Sequence, residues 1–564
     1  MSPSATNVLD DPAPARSRRA SIERLTHLAG ALRPLALYQR TEALGAVFAA
    51  TSPSLAEPLG LLRAGPSMRR WRGNPAGIVV AGARQHPDLA AIVDDLEVVT
   101  SIELERRTNA LARRIVELGV GPGQALGILA GNRAMVIEAG MAAYKVGADT
   151  VYLNSGFSPT QAAEVVAREG IDLVIADDEH AAAITAITPV LSQADLQEVF
   201  RGGDGSPLSP PAAPGSIVVL TSGTTGTPKG ARRSKTGSAL DAAGILACIP
   251  FTAGDTTLVA APIFHGLGLF NANLALALGS PVILRERFDA RRVLADISRH
   301  QVAVLIAVPA MLHRIMSLPR RELDQFDTSS LKIVVSGGAA LAGDLAGSFM
   351  DRFGEILYNV YGSTETALAT IASPRDLRRA PGTAGRPTPG VRVRVLDEAG
   401  GRVPPGATGR VFVGSHLGFD GYTGGGGKDS VDGLLFTGDL GRLDRWGRLF
   451  LEGRADEMIV SGGENVFPAE VEEALLAHPA VAEAAVLGVD DPEFGQRLAA
   501  FVVVRTGRRA DEELLKQHVR DRLARFKIPR EITFLDSFPK TATGKVMKRL
   551  LGEPDRAASK GPGL

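Results

Sequence analysis

What most restricts the fold of this 564-residue chain is an alternation that begins near Trp71. Short apolar runs recur, SIVVL at 216–220, TTLVAAPIF at 256–264, VAVLIAV at 302–308 and LKIVVSGG at 331–338, and helix-like segments such as 340–352 separate several of them. Runs that are apolar throughout, rather than at every second position, suit strands covered on both faces, as in parallel sheets packed between helices. From Gly390 to Gly414, VRVRVLDEAG and GRVFVG alternate with turn residues and read as a small β module. After Gly453 the texture changes again. Pro468 stands at a helix N1 position with Glu470, Glu472 and Glu473 in the first turns. Strands at 484–489 and 498–505, a helix at 511–525 and a strand near 532 follow, a unit of about 110 residues that is long enough to fold alone.

The expected class is therefore α/β. A large N-terminal domain of helix-covered, mostly parallel sheets plus the small β module spans 71–453, a hinge 454–456, and a small mobile α+β domain 457–564. Residues 1–70 are expected to be a disordered and helical extension. Leu25, Leu28, Leu32 and Leu35 fall at helical spacing there, and residues 1–75 hold ten Arg against five acids. Packing of that extension on the body is expected, with weak peripheral contact to a membrane surface as the alternative.

Composition removes several classes of function. Basic and acidic residues both number 62, so the cationic surplus of a nucleic-acid-binding protein is missing. The one cysteine, Cys248, excludes an intramolecular disulfide framework and a Cys-rich zinc site. No apolar run reaches about 18 residues, and residues 1–20 lack the apolar stretch of a secretory signal, so a cytoplasmic location is expected. Only 11 of the 62 basic residues are lysine. A lysine inside a Gly-rich loop of so Arg-rich a chain suggests that a compact ammonium is wanted there.

The sharpest motif is Leu220 followed by TSGTTGTPKG, residues 221–230, directly after an apolar strand. Such a loop turns consecutive N–H groups and hydroxyls toward one anion, and Lys229 adds charge. It is not a Walker A loop, because Pro228 and Gly230 stand where that motif needs its second Gly and its Ser/Thr. The loop resembles the phosphate loop of the adenylate-forming superfamily, which includes acyl-CoA synthetases, nonribosomal-peptide adenylation domains and firefly-luciferase-like enzymes. Six further motifs follow in that family's order: APIFHGLGL (261–269), SGGAAL (336–341), YNVYGSTET (358–366), FTGDLG (436–441), GRADEMIVSGGENVFPAEVE (453–472) and PKTATGK (539–545). The resemblance covers about residues 75–552.

It implies ATP, Mg²⁺ and coenzyme A as cosubstrates and the following roles. Thr221, Ser222, Gly223, Thr224, Thr225, Gly226 and Lys229 would cradle phosphates, and Gly338, Ala339 and Gly362 would line the nucleotide site. Tyr361 offers a flat face to adenine and Asn359 an amide to its edge. Thr364 would donate to the α-phosphate, and Glu365 would hold the metal as a hard oxygen ligand. Asp439 resembles the carboxylate that binds the ribose hydroxyls, with Arg454 beside it. Lys545 corresponds to the lysine that bridges substrate carboxylate and α-phosphate during adenylation. Asp456 corresponds to the hinge about which the small domain turns. That turn would withdraw Lys545 and bring Ser461, Gly462, Gly463 and Glu464 to flank a pantetheine tunnel.

His265 resembles the gate between the carboxylate and nucleotide sites. The stretch from Phe264 to Leu274 contains no acid, so a substrate ammonium would lack a partner and burying it would be costly. A non-amino carboxylic acid is expected. The segment VYLNSGFSP (151–159) and the helical extension look like those of actinobacterial FadD-type fatty-acyl-CoA synthetases, which implies a medium- to long-chain fatty acid, with aryl or alicyclic acids as the alternative. Competing readings are an acyl-AMP ligase serving an acyl carrier protein, a luciferase-like oxygenase, and a degenerate paralogue that only binds lipid or nucleotide. One departure from the family stands out: GYTGGGGKDSVDGLLF (421–436) is shorter and richer in Gly than the usual segment before FTGD.

Overall fold

The structure, a computed structural model, describes residues 66–551 apart from 68, 73, 221–228, 235–243, 416–418, 462–463, 492–494 and 541–545. Nearly all of the extension expected over 1–70 lies outside the described residues. Its end is anchored. Trp71 is buried, and the Asn74 side chain donates to the Tyr144 carbonyl at 2.8 Å.

The larger sheet has a parallel centre. In hydrogen-bonded order the strands Leu357–Ser363, Ile333–Gly337, Val304–Ala307, Thr257–Val259, Val282–Leu284 and Ala90–Val93 all run the same way. Their apolar runs are buried on both faces, Leu258, Val259, Ile306 and Val334 being fully inaccessible, as helix-covered parallel strands require. The run expected over 256–264 leaves the sheet after Val259, and its remainder carries Phe264 and His265 to the N-terminus of the helix Gly266–Ala277.

The small β module is continuous with this sheet rather than separate from it. Strand Thr383–Pro387 pairs antiparallel with Ala367–Ala372 on one side and with Leu449–Arg454 on the other. Beyond Leu449–Arg454 lie Leu434–Leu443, Gly409–Gly414 and Arg392–Leu396. The junction depends on Gly385, at φ +89°, where a Cβ would stand 2.0 Å from the Ile371 carbonyl carbon. No side chain fits there.

A second sheet orders Val190–Leu191, Leu173–Ala176, Ala125–Leu129, Asp149–Tyr152 and Ile217–Leu220 in parallel, then Gly230–Arg233 and Gly421–Tyr422 antiparallel. The strand before the Gly/Ser/Thr-rich loop and the strand after it are thus neighbours.

Residues 459–534 build their own sheet, with Val481–Asp491 and Gly495–Val504 as a long hairpin and Glu531–Phe534 parallel to the latter. Helices Pro468–Leu476 and Glu512–Arg520 cover it, and Val471, Leu475, Val486, Val502, Leu515 and Val519 form its core. The helix expected over 511–525 stops at Arg520, and a single 3₁₀ turn at Arg525–Lys527 precedes Pro529. Among the described residues no helix is long and apolar enough to cross a membrane.

Candidate active site

In open parallel sheets ligands bind outside the carboxyl ends of the strands. Here those ends bring together His265, the Gly337-Gly338 turn and the Tyr361–Glu365 segment, although the motifs lie up to about 100 residues apart in the chain. Gly338 has φ +82°, and both it and Ala339 are exposed at the mouth. Asn359 is buried and its side-chain nitrogen donates to the Thr383 carbonyl at 3.2 Å.

Tyr361 donates its hydroxyl to Asp439 Oδ2 at 2.5 Å. Burial, reinforced by that carboxylate, holds the phenol well above its ordinary pKa. Asp439 lies opposite Arg454 in the antiparallel register, and Arg454 Nη1 reaches Asp439 Oδ1 at 3.4 Å. The Arg454 Nε in turn meets Asp456 at 3.1 Å, so the expected ribose carboxylate and the expected hinge residue share one guanidinium. A carboxylate held by neighbours on both oxygens is well placed to accept from a vicinal diol.

After Tyr361 the chain bulges. A Cβ on Gly362 would stand 1.9 Å from the Ala367 carbonyl oxygen. Gly362→Ala is therefore expected to destabilise the large domain by about 3 kcal/mol through overpacking against backbone, read as a lower denaturation midpoint. The same turn buries Glu365. Tyr422 donates its hydroxyl to Glu365 Oε1 at 2.7 Å, and Lys428 Nζ lies 3.5 Å from that oxygen. Burial works against the charged form, yet the Tyr422 hydrogen bond and the Lys428 charge prevail and hold this carboxyl below its ordinary pKa. Thr364 is half-buried, and its carbonyl accepts from the Arg233 guanidinium. Lys229 Nζ stands 5.5 Å from the centre of the Tyr422 ring.

His265 is pressed against Phe264, with ring centroids 4.6 Å apart, and burial lowers its pKa to about 4. It is neutral at physiological pH. Ser461 and Glu464 are backbone register partners in the antiparallel pairing of Ile459–Ser461 with Glu464–Val466. Thr221, Ser222, Gly223, Thr224, Thr225, Gly226, Gly462, Gly463 and Lys545 lie outside the described residues.

Sequence reasoning missed Tyr422, Lys428 and Arg233. Two of them come from the Gly-rich stretch that departs from the family, and the scarcity of lysine, applied above only to Lys229, is the signal that could have found Lys428.

The Asp439 carboxylate held by Tyr361 and Arg454, the buried Glu365 carboxylate and the Lys229 ammonium near Tyr422 are groups suited to a nucleoside phosphate. The family model described as AMP-binding enzyme matches residues 80–423, and that described as AMP-binding enzyme C-terminal domain matches 470–545. The chain belongs to the AMP-binding enzyme family. It is 33% identical over 480 residues to a feruloyl-CoA synthase of an Amycolatopsis species, covering 83% of this chain and 96% of that protein. It is 30% identical over 491 residues to a fatty acid–[acyl-carrier-protein] ligase of Streptomyces coeruleorubidus, covering 83% and 94%. Its fold is similar to the o-succinylbenzoate CoA synthetase of Bacillus subtilis bound to its acyl-adenylate, with a TM-score of 0.76 at 27% identity over 86% of this chain and 99% of that one.

The protein is thus an AMP-forming acid–thiol ligase that uses ATP, Mg²⁺ and CoA and proceeds through an acyl-adenylate. Among the described residues no group of three His, Cys, Asp or Glu side chains could hold a metal. A single buried carboxylate such as Glu365 instead suits Mg²⁺, which keeps waters and takes its other ligands from substrate phosphates.

Proposed function

We propose that this enzyme ligates CoA to a ring-bearing, non-amino carboxylic acid. The observation that carries the reading is the helix Gly266–Ala277. It begins at a neutral His265, contains no charged residue, and opens its first turn at the carboxyl ends of the parallel strands. An acid whose body is uncharged meets an apolar wall there, and its carboxylate turns toward the nucleotide. Ferulate and o-succinylbenzoate, the acids in the names of two of the proteins it resembles, both carry a ring. A medium- to long-chain fatty acid is the second reading. It is favoured by the space beside Gly266 and Gly338, where an added Cβ meets nothing or only Val308 at 3.9 Å, and by the similarity to a fatty acid ligase.

In this reading Lys545, Thr364 and Glu365 serve the adenylation step. Mg²⁺, held by Glu365, supplies charge neutralisation at the phosphates. The small domain, as residues 457–564, then turns at Asp456 within 454–456 and exchanges Lys545 for the Ser461–Glu464 hairpin. The large domain would run from 71 to 453. Mass spectrometry of products formed from ATP, Mg²⁺, CoA and a panel of aryl, alicyclic and C4–C20 acids tests the proposal. Acyl-CoA and AMP formed best from ring acids is the expected result, and preference for unbranched chains overturns it in favour of the second reading. Acyl-AMP that accumulates despite CoA would identify a carrier protein as the acceptor.

A further inference from the structure

The Gly-rich segment that departs from the family delivers an ammonium to a defined place. Lys428 follows four consecutive glycines, of which Gly425 and Gly426 take φ of +84° and +86°, and an added Cβ would meet nothing within 4 Å at any of the four. The run relies on the backbone freedom of glycine and is tied to Tyr422 by the Gly425 N–H, which donates to the Tyr422 carbonyl at 2.9 Å. At its end the Lys428 side chain is mostly enclosed, with 17% of its surface accessible.

Its contacts fix where the charge sits. Nζ donates to the Thr437 carbonyl at 3.0 Å and stands 3.5 Å from Glu365 Oε1. The same Thr437 carbonyl accepts from Arg454 Nη1 at 3.3 Å, and the Thr437 hydroxyl accepts from the Asp439 N–H at 3.1 Å. Lys428 therefore bridges the Asp439–Arg454 pair on one side and Glu365 on the other. In a nucleotide, the group between the ribose and a phosphate-bound metal is the α-phosphate. We propose that Lys428 is a resident α-phosphate ligand, contributed by the large domain; this rests on the reading of Asp439 as ribose carboxylate and Glu365 as metal ligand.

The assignment has a chemical consequence. Lys545, on the small domain, leaves the α-phosphate when that domain turns for thioester formation. Lys428 does not move with it, so the adenylate phosphate keeps a cation partner while the thiol attacks and AMP departs. Glu365 holds the ammonium in place before the nucleotide arrives. The ammonium places its charge as a single point within reach of both the Thr437 carbonyl and Glu365.

Calorimetric titration of the full chain with AMP and with adenosine, both in EDTA, tests the proposal without turnover or metal. For K428M, AMP affinity should fall by about tenfold or more, the loss expected for a charge-assisted hydrogen bond, while adenosine affinity stays within about twofold of wild type. K428R, which keeps the charge, should recover most of the AMP affinity. Unchanged AMP binding in K428M overturns the assignment. So does an equal loss of adenosine and AMP, which would make Lys428 a clamp on the strand and no phosphate ligand. A wild-type chain that binds neither compound would instead sink the nucleotide reading of Asp439 on which the inference stands.

Discussion

Lys545→Ala is expected to lower the rate of adenylate formation by about 10²–10³-fold while leaving ATP and AMP binding measurable. The first half-reaction brings a carboxylate against a phosphate, and like charges repel most strongly as the bond forms. An ammonium fixed at that point stabilises charge that exists only in the transition state, so its removal costs rate rather than affinity. The second half-reaction should respond differently. With acyl-AMP and CoA supplied, K545A is expected to form thioester within a few-fold of wild type. Pyrophosphate release and thioester formation, measured separately, check both arms. Adenylation that survives the substitution, or an equal loss in both half-reactions, would show that the lysine does not have this role. The resident Lys428 sharpens the contrast, because AMP should remain bound to K545A and should be weakened in K428M.

The architecture was readable in the sequence wherever short-range pattern carries it. The apolar runs locate the central parallel strands, and Pro468 with the acids after it starts a helix whose Glu470 carboxylate accepts from the Phe467 N–H at 3.2 Å. The motifs do not share one local setting: SGGAAL spans the end of Ile333–Gly337 and turns at Gly338, φ +82°, whereas FTGDLG falls inside Leu434–Leu443. Features that depend on pairing across long stretches of chain were not readable. The β module joins the main sheet through Thr383–Pro387, whose neighbours Leu449–Arg454 lie more than sixty residues on. Tyr422 reaches Glu365 because its strand pairs with Gly230–Arg233, almost two hundred residues earlier. No local pattern encodes either encounter. Lys145 is a similar case, since one lysine near the end of a helix ordinarily reads as solvated.

Lys145 is instead fully enclosed, and removing it should produce the largest loss of stability in the large domain. Its Nζ donates to Glu105 Oε2 at 2.7 Å, Asn109 Oδ1 at 2.7 Å and Thr108 Oγ1 at 2.8 Å. The three acceptors lie within two turns of the helix Ser101–Glu117, against which Ala134–Val146 packs. Lys145→Ala leaves the buried Glu105 carboxylate without a countercharge, with only the Asn109 amide donating to it, a loss of about 3–5 kcal/mol. The pair K145M with E105Q should recover much of it, because neither partner then carries an uncompensated charge. The pH dependence identifies the cause. Burial lowers the Lys145 pKa from 10.5 to about 8. Below the lower value both folded and unfolded chains are protonated, and the folded one bears the full cost of burying the ammonium. Between about 8 and 10.5 the unfolded chain binds more protons, so stability contributed at this site rises with pH. Wild type should gain on K145M across that window, measured as the difference in denaturation midpoint at pH 7 and pH 9.5. A constant difference would mean that the Lys145 pKa is the same folded and unfolded, and would overturn burial as the dominant effect at this site.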